Sequence, residues 1–356
     1  NFRKNKISIP SYFGIFLWFL FIILYYFQYE TPYMPEKING KLDFFMYQLK
    51  AIPVLCIFIL FVSTKSNIDK FHYLECISFG MLAIASINTI ATLVHLDPPY
   101  YGRAWEFFSN GVMNSPGTTI LASIPALLLL SFVNTDKLKK FTYIYLLAIT
   151  LVLGTIINLI FLARSFFFII FLILIFKIFF FILKSRTNGK TLIHKKSLIY
   201  IFISLFFLII IIFLFRESIH LVINRIIHGD YMVKFLHTWE YFSLIKENFF
   251  IYPSSNYFRP EQFWFHNFFF DSHRTSGPFV AILAYIIFLF TGIKSLINLK
   301  RNRSDSRELF ILFLSFFPIL YTSIPWESSE YQLIFFYSAL TGWIINPGNN
   351  KTISKL

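Results

Sequence analysis

The chain is a succession of apolar runs, most of them close to the length of a bilayer crossing. Ten can be read: 11–28, 44–63, 71–95, 117–133, 141–161, 164–184, 197–215, 277–298, 308–322 and 329–346. A helix rising about 1.5 Å per residue needs roughly 20 residues to cross the hydrocarbon. The sequence is 56% hydrophobic and only 14% charged, against roughly 25% charged in soluble domains. So much apolar surface does not fit inside one globular core, and a polytopic, all-α transmembrane bundle is expected. The first run is long and is followed by an acidic, Pro-containing loop, so it is expected to be a retained span and not a cleaved signal. The fifth and sixth runs are separated only by a short turn at Leu162–Ala163, which predicts an antiparallel helical hairpin.

The net charge of +14 would suit a nucleic-acid partner, but its distribution does not. Lys and Arg lie in short runs between the apolar segments, as topology signals do. One set of alternating connections carries 20 of the 32 basic residues and the other carries ten, six of them in 216–276. Both termini are therefore expected in the cytoplasm, with 216–276 outside. Three regions result: an N-terminal bundle over 1–215, an external segment over 216–276 with an interfacial helix near Leu221–Ile227, and C-terminal helices over 277–356. Cys56 and Cys76 both fall in apolar runs and form no framework.

Some charges go beyond topology. An Arg at mid-bilayer costs roughly 2.5–3.5 kcal/mol on insertion scales, and outer basic residues oppose the orientation rule. Arg164 stands at the tight outer hairpin, Arg103 in an outer loop before the fourth run, Arg216 where the external segment begins, and Arg225 within its interfacial helix. Each is a candidate fixed cation for an anionic substrate; the competing role is an interfacial anchor with a snorkelling side chain. Lys177 is expected to snorkel near the inner end of its run, while Lys50 falls inside a run with no evident purpose.

The segment FWFHNFFFDSHRTSG, 263–277, sets His266, Asn267, Asp271, His273 and Arg274 among aromatic residues just before the eighth run. An aromatic stretch there suits the outer interface. His266 is the candidate base or hydroxyl positioner. Asn267 is placed to orient it or to bind sugar, and Arg274 to add charge for a phosphate. Zinc-ligand spacing, a P-loop and an Asp-x-Asp metal motif are all lacking from the sequence, so neither metal nor cofactor is expected.

GVMNSPGTTILASIPALLLL, LARSFFFIIFLILIF, the external segment with Arg225 and Trp239, and FHNFFFDSHRTSGPFVAILAYIIFLF follow one another in this order. Together, over roughly residues 100–298, they resemble the O-antigen ligase and O-antigen polymerase superfamily of bacterial membrane glycosyltransferases. The resemblance implies a GT-C-like bundle of about ten to twelve helices in the bacterial inner membrane, with a periplasmic active site. It implies an undecaprenyl-diphosphate-linked glycan as donor, the bilayer as partner and a chain-length regulator as a further partner. It maps the family's catalytic arginines onto Arg164 and Arg225 and its loop histidine onto His266.

Such a reaction breaks the anomeric C–O bond and leaves negative charge on the diphosphate. Fixed guanidiniums in a poorly solvated cleft stabilise that charge without a metal. The acceptor hydroxyl attacks from the opposite face, which predicts inversion. The favoured expectation is a polymerase that joins lipid-linked repeat units. The alternatives are the ligase that moves the polymer onto lipid A core, and a transporter or flippase of lipid-linked sugars.

Overall fold

Helices form where the apolar runs place them. The computed structural model describes residues 9–27, 48–100, 102–108, 110–132, 140–163, 165–188, 238–243, 245–246, 249–250, 267–303, 305–322 and 332–348. In chain order these contain α1 (Ile9–Phe27), α2 (Ala51–Ser63), α3 (Asn67–His95), β1 (Arg103–Glu106), β2 (Gly111–Asn114) and α4 (Ser115–Ser131). Then follow α5 (Lys140–Ile160), α6 (Ser165–Asn188), α7 (Phe268–Ser276), α8 (Pro278–Lys300), α9 (Ser306–Thr322) and α10 (Gln332–Ile345). The apolar run at 197–215 and the interfacial helix expected near 221–227 lie outside the described residues.

The described residues are mostly helical. Among them, α3, Thr142–Ile160 of α5, and α8 are long and apolar enough to cross a membrane by length and composition; α1, α2, α4, α6 and α10 contain shorter apolar helices. Large apolar side chains face outward, such as Ile90 and Val94 on α3, Phe168 and Phe171 on α6, and Phe279 and Leu289 on α8. Soluble monomers rarely expose contiguous faces of this kind, and these helices are compatible with a membrane protein.

The local signals explain the boundaries. Pro53 falls in the first turn of α2, where its missing N–H costs nothing. Lys50 directly precedes that turn, at the helix start. α4 begins at Ser115-Pro116, as the Asn-Ser-Pro-Gly signal predicts. The expected hairpin turn between α5 and α6 is present: the Ala163 N–H reaches the Asn158 carbonyl at 2.7 Å and the Leu162 N–H reaches Leu159 at 3.1 Å. This is the paired pattern of a Schellman stop, with Leu162 held at a φ of 52°. Asn302, at a φ of 48°, closes α8 by the same pair of bonds.

The described chain packs as two compact units. The first contains residues 1–74, 230–313 and 320–356; the second contains 75–229 and 314–319. In the first, an aromatic core joins four helices. Trp18 of α1 stacks on Phe58 of α2 with centroids 5.4 Å apart and meets Tyr337 of α10 edge-on at 5.3 Å. Phe268 of α7 packs against Phe21 and Tyr337. α2 and α10 approach closely at Gly342, where a Cβ would lie 3.0 Å from the Phe58 carbonyl oxygen.

The last carbonyls of α10 would otherwise be buried without partners. Side chains from three other helices satisfy them. Asn298 donates to Ile344 at 2.8 Å, Ser11 donates to Ile345 at 2.9 Å, and the Lys70 Nζ donates to Asn346. The Lys70 amino group thus lies at the carbonyl end of α10. Asn67 completes this knot, accepting from Trp343 Nε1 at 3.0 Å and from the Gly348 N–H at 2.9 Å.

In the second unit α4 is buried along almost its whole length, and its Ser123 and Ser131 hydroxyls turn back onto the carbonyls of Thr119 and Leu127. α5 holds it through Asn158, whose Nδ2 donates to Thr119 and Gly154, and through a bond from the Tyr143 hydroxyl to the Leu129 carbonyl. The departure from helix among the described residues is β1–β2, an antiparallel hairpin in the stretch read from sequence as an outer loop.

Candidate functional site

The chemistry-bearing segment 267–277 folds as one tight helix, α7, and every one of its residues is buried. Its start is set by Asn267, in extended backbone. The Asn267 Oδ1 accepts from the N–H groups of Phe269 at 3.0 Å and Phe270 at 3.4 Å. Asp271 reciprocates, its Oδ2 accepting from the Asn267 N–H at 2.9 Å. This reciprocal cap resembles a capping box, and the Asp271 charge suits the positive end of the helix. Because Oδ1 serves the helix, the amide orientation is fixed. Its Nδ2 is then a buried donor with no hydrogen-bond partner among the described residues.

The helix stops at Gly277, whose φ of 87° disfavours a side chain; its N–H donates to His273 at 2.9 Å. The Ser276 hydroxyl donates to the Tyr25 carbonyl at 2.9 Å, which ties α7 to α1. Ser272 and Thr275 turn their hydroxyls back onto the carbonyls of Phe268 and Asp271.

His273 is fully buried and both its ring nitrogens are engaged. Nε2 lies 3.0 Å from the Phe249 carbonyl and Nδ1 lies 2.9 Å from the Tyr241 hydroxyl. A carbonyl only accepts, so Nε2 carries the proton and Nδ1 accepts from Tyr241. Burial lowers the imidazole pKa to about 4, partly opposed by the Phe249 bond. Burial also raises the Tyr241 phenol above its usual value, with Tyr285 and Asp271 adding to the effect, so it stays a donor. Tyr241 stacks on Phe270 with centroids 3.9 Å apart. The short helical turn around it is thereby clamped onto α7. Sequence reasoning missed Tyr241, because nothing local signals a partner 32 positions away.

Arg274 lies in the last turn of α7 and is 4% exposed. A cation there complements the carbonyl end of the helix. Asn267 and Arg274 are thus brought onto one short helix. Arg103 belongs to the second unit, where it is exposed and opens β1 opposite Asn114. Arg164, Arg216, Arg225 and His266 lie outside the described residues. Among the described residues no group of three or more His, Cys, Asp and Glu side chains is placed to hold a metal ion.

A family described as a protein of unknown function (DUF1229) matches residues 187–348. No curated protein and no solved structure matches the chain. The matched span contains α7 to α10 together with Arg216, Arg225, His266, Asn267 and Arg274; Arg103 and Arg164 precede it.

Proposed function

We propose that this chain is a glycosyltransferase of the O-antigen polymerase type in a bacterial inner membrane. It carries about ten spans, both termini in the cytoplasm and a periplasmic site. It transfers an undecaprenyl-diphosphate-linked glycan to the sugar hydroxyl of another lipid-linked repeat unit. The hydroxyl oxygen attacks the anomeric carbon from the face opposite the diphosphate, and its proton passes to His266. The C–O bond to the diphosphate breaks, and the lipid diphosphate leaves with the electron pair. Arg164 and Arg225 stabilise that charge; Arg103, Arg216 and Arg274 supply further positive potential.

The observation that carries this reading is the polar content of α7. Asn267, Asp271, His273 and Arg274 are all buried in one short helix directly ahead of the apolar α8. Burying such groups costs several kcal/mol unless they are used. Asp271 and His273 are used by the fold, while the Asn267 amide keeps a donor in reserve. That donor suits a sugar hydroxyl or a phosphate oxygen beside His266.

The glycolipid ladder of a deletion strain tests the assignment. A polymerase mutant accumulates core carrying one repeat unit. Bare core, with finished polymer left on its carrier, would instead identify the ligase. An unchanged ladder would refute both.

A further inference from the structure

The hairpin β1–β2 is folded back along the helix that precedes it. The Trp105 N–H donates to the Thr92 hydroxyl at 2.8 Å, and the Phe107 N–H donates to the Asn88 side-chain oxygen at 3.1 Å. Two residues forward from Trp105 cover about 6.6 Å at the strand rise; four residues back along α3 cover about 6 Å. The two ladders match, so β1 runs antiparallel to the last two turns of α3. Trp105 stacks on His95 at the helix end, centroids 4.8 Å apart. Phe107 therefore lies level with Asn88, seven residues short of His95, or ~10 Å at the helical rise.

That level belongs to the apolar part of α3, which has no Asp, Glu, Lys or Arg between Glu75 and His95. Ile87, Ile90, Leu93 and Val94 are exposed on the helix there. The hairpin tip continues this surface: Phe107 is 56% exposed and Phe108 72%. A sheet edge facing hydrocarbon leaves backbone groups without partners. Here α3 supplies them: Asn88 and Thr92 are buried at 2% and 0% exposure, and their side chains accept the N–H groups of Trp105 in β1 and of Phe107 just after it.

We propose that residues 103–114 are a re-entrant membrane anchor, whose Phe107 and Phe108 insert into the headgroup–acyl boundary of the phospholipid bilayer. Aromatic side chains favour that boundary. Insertion to ~5–10 Å is usual for interfacial amphipathic elements, comparable with the ~10 Å along α3 that separates Asn88 from His95. The inference rests on α3 spanning the membrane, as in the reading above.

The test uses the full chain in phosphatidylcholine–phosphatidylglycerol vesicles, with Cys56 and Cys76 replaced by Ser. A nitroxide is attached at Phe108→Cys, at Ile90→Cys as the lipid reference and at Asp97→Cys as the water reference. Power saturation with oxygen and with a nickel chelate reads depth. At position 108 the oxygen-to-nickel accessibility ratio is expected to be several-fold above that at 97 and similar to that at 90. Phe107→Cys provides the same readout if the first variant misfolds. Nickel access at 108 with oxygen access at 90 would overturn the anchor and leave the spanning helix standing. Nickel access at both would overturn the membrane reading itself. A label at 108 reached by neither reagent would mean that protein covers the tip, which also overturns the anchor.

Discussion

Tyr241 donates its phenolic hydrogen to Nδ1 of His273 across 2.9 Å, while the opposite nitrogen of the same ring donates to the Phe249 carbonyl. One imidazole thus clamps two chain segments onto α7. Tyr241→Phe keeps the stacking on Phe270 but leaves a buried acceptor unpaired. The expected loss is about 1–3 kcal/mol. His273→Ala is expected to cost at least as much, and the double variant less than the sum, since the two residues share one bond. Denaturant unfolding of the purified protein in detergent measures all three.

The same ring gives a pH dependence. In the unfolded chain it titrates near 6.5, and in the fold near 4. Between those values the unfolded state binds more protons, so stability rises with pH. The contribution is complete above about 6.5, declines as pH falls towards 4 and changes no further below that. Subtracting the unfolding midpoints of His273→Gln from those of the wild type, from pH 7.5 down to pH 4, isolates this slope. A flat difference would show that the imidazole titrates as it does in water.

Asn267 combines two roles that a pair of substitutions separates. Asn267→Ala removes the cap of α7 and is expected to cost about 0.5–2 kcal/mol. Asn267→Ser keeps an oxygen for the Phe269 and Phe270 N–H groups without adding a carboxylate beside buried Asp271, and it removes the Nδ2 donor. The Ser variant is expected to unfold close to wild type while polymer synthesis in cells falls at least tenfold. Wild-type chain lengths from the Ser variant would confine Asn267 to capping.

Two glycines predict opposite signs. A Cβ on Gly342 would meet the Phe58 carbonyl oxygen and the Phe61 Cβ at 3.0 Å, so Gly342→Ala must move α2 away from α10. Overpacking of this kind costs about 1–3 kcal/mol. Gly80, within α3, has nothing within 4 Å of its Cβ position, so Gly80→Ala is expected to stabilise by about 0.5–1 kcal/mol through helix propensity. Thermal unfolding of both variants checks the pair.

Much of this architecture was legible in the residues. Apolar runs located the helices, the Leu162–Ala163 break located the α5–α6 turn, and Ser115-Pro116 marked the start of α4. Lys50 falls inside the run 44–63, whose continuous apolar pattern does not mark the helix start that follows it. The hairpin β1–β2 was not legible: its strands are four residues each, and its outer edge is satisfied by helix side chains and not by another strand. Within the site, Asn267 and Asp271 form a capping pattern visible in the sequence, at a position where Asn267 is expected to orient His266 or to bind sugar. The Tyr241–His273 bond joins segments whose meeting depends on tertiary packing, which no local periodicity encodes.

The catalytic reading is tested most directly by reconstitution. Purified protein in vesicles is given undecaprenyl-diphosphate-linked repeat units in the presence of a metal chelator, and product length is measured. The wild type is expected to extend chains with no other enzyme present. His266→Ala is expected to reduce the rate by at least 100-fold, at the low end of general-base contributions, and Arg164→Ala by at least about 100-fold, as for loss of an electrostatic donor. Arg225→Lys is expected to be severely impaired, because an ammonium does not reproduce a bidentate fork. No extension by the wild type, or extension that survives loss of Arg164 unchanged, would contradict the account.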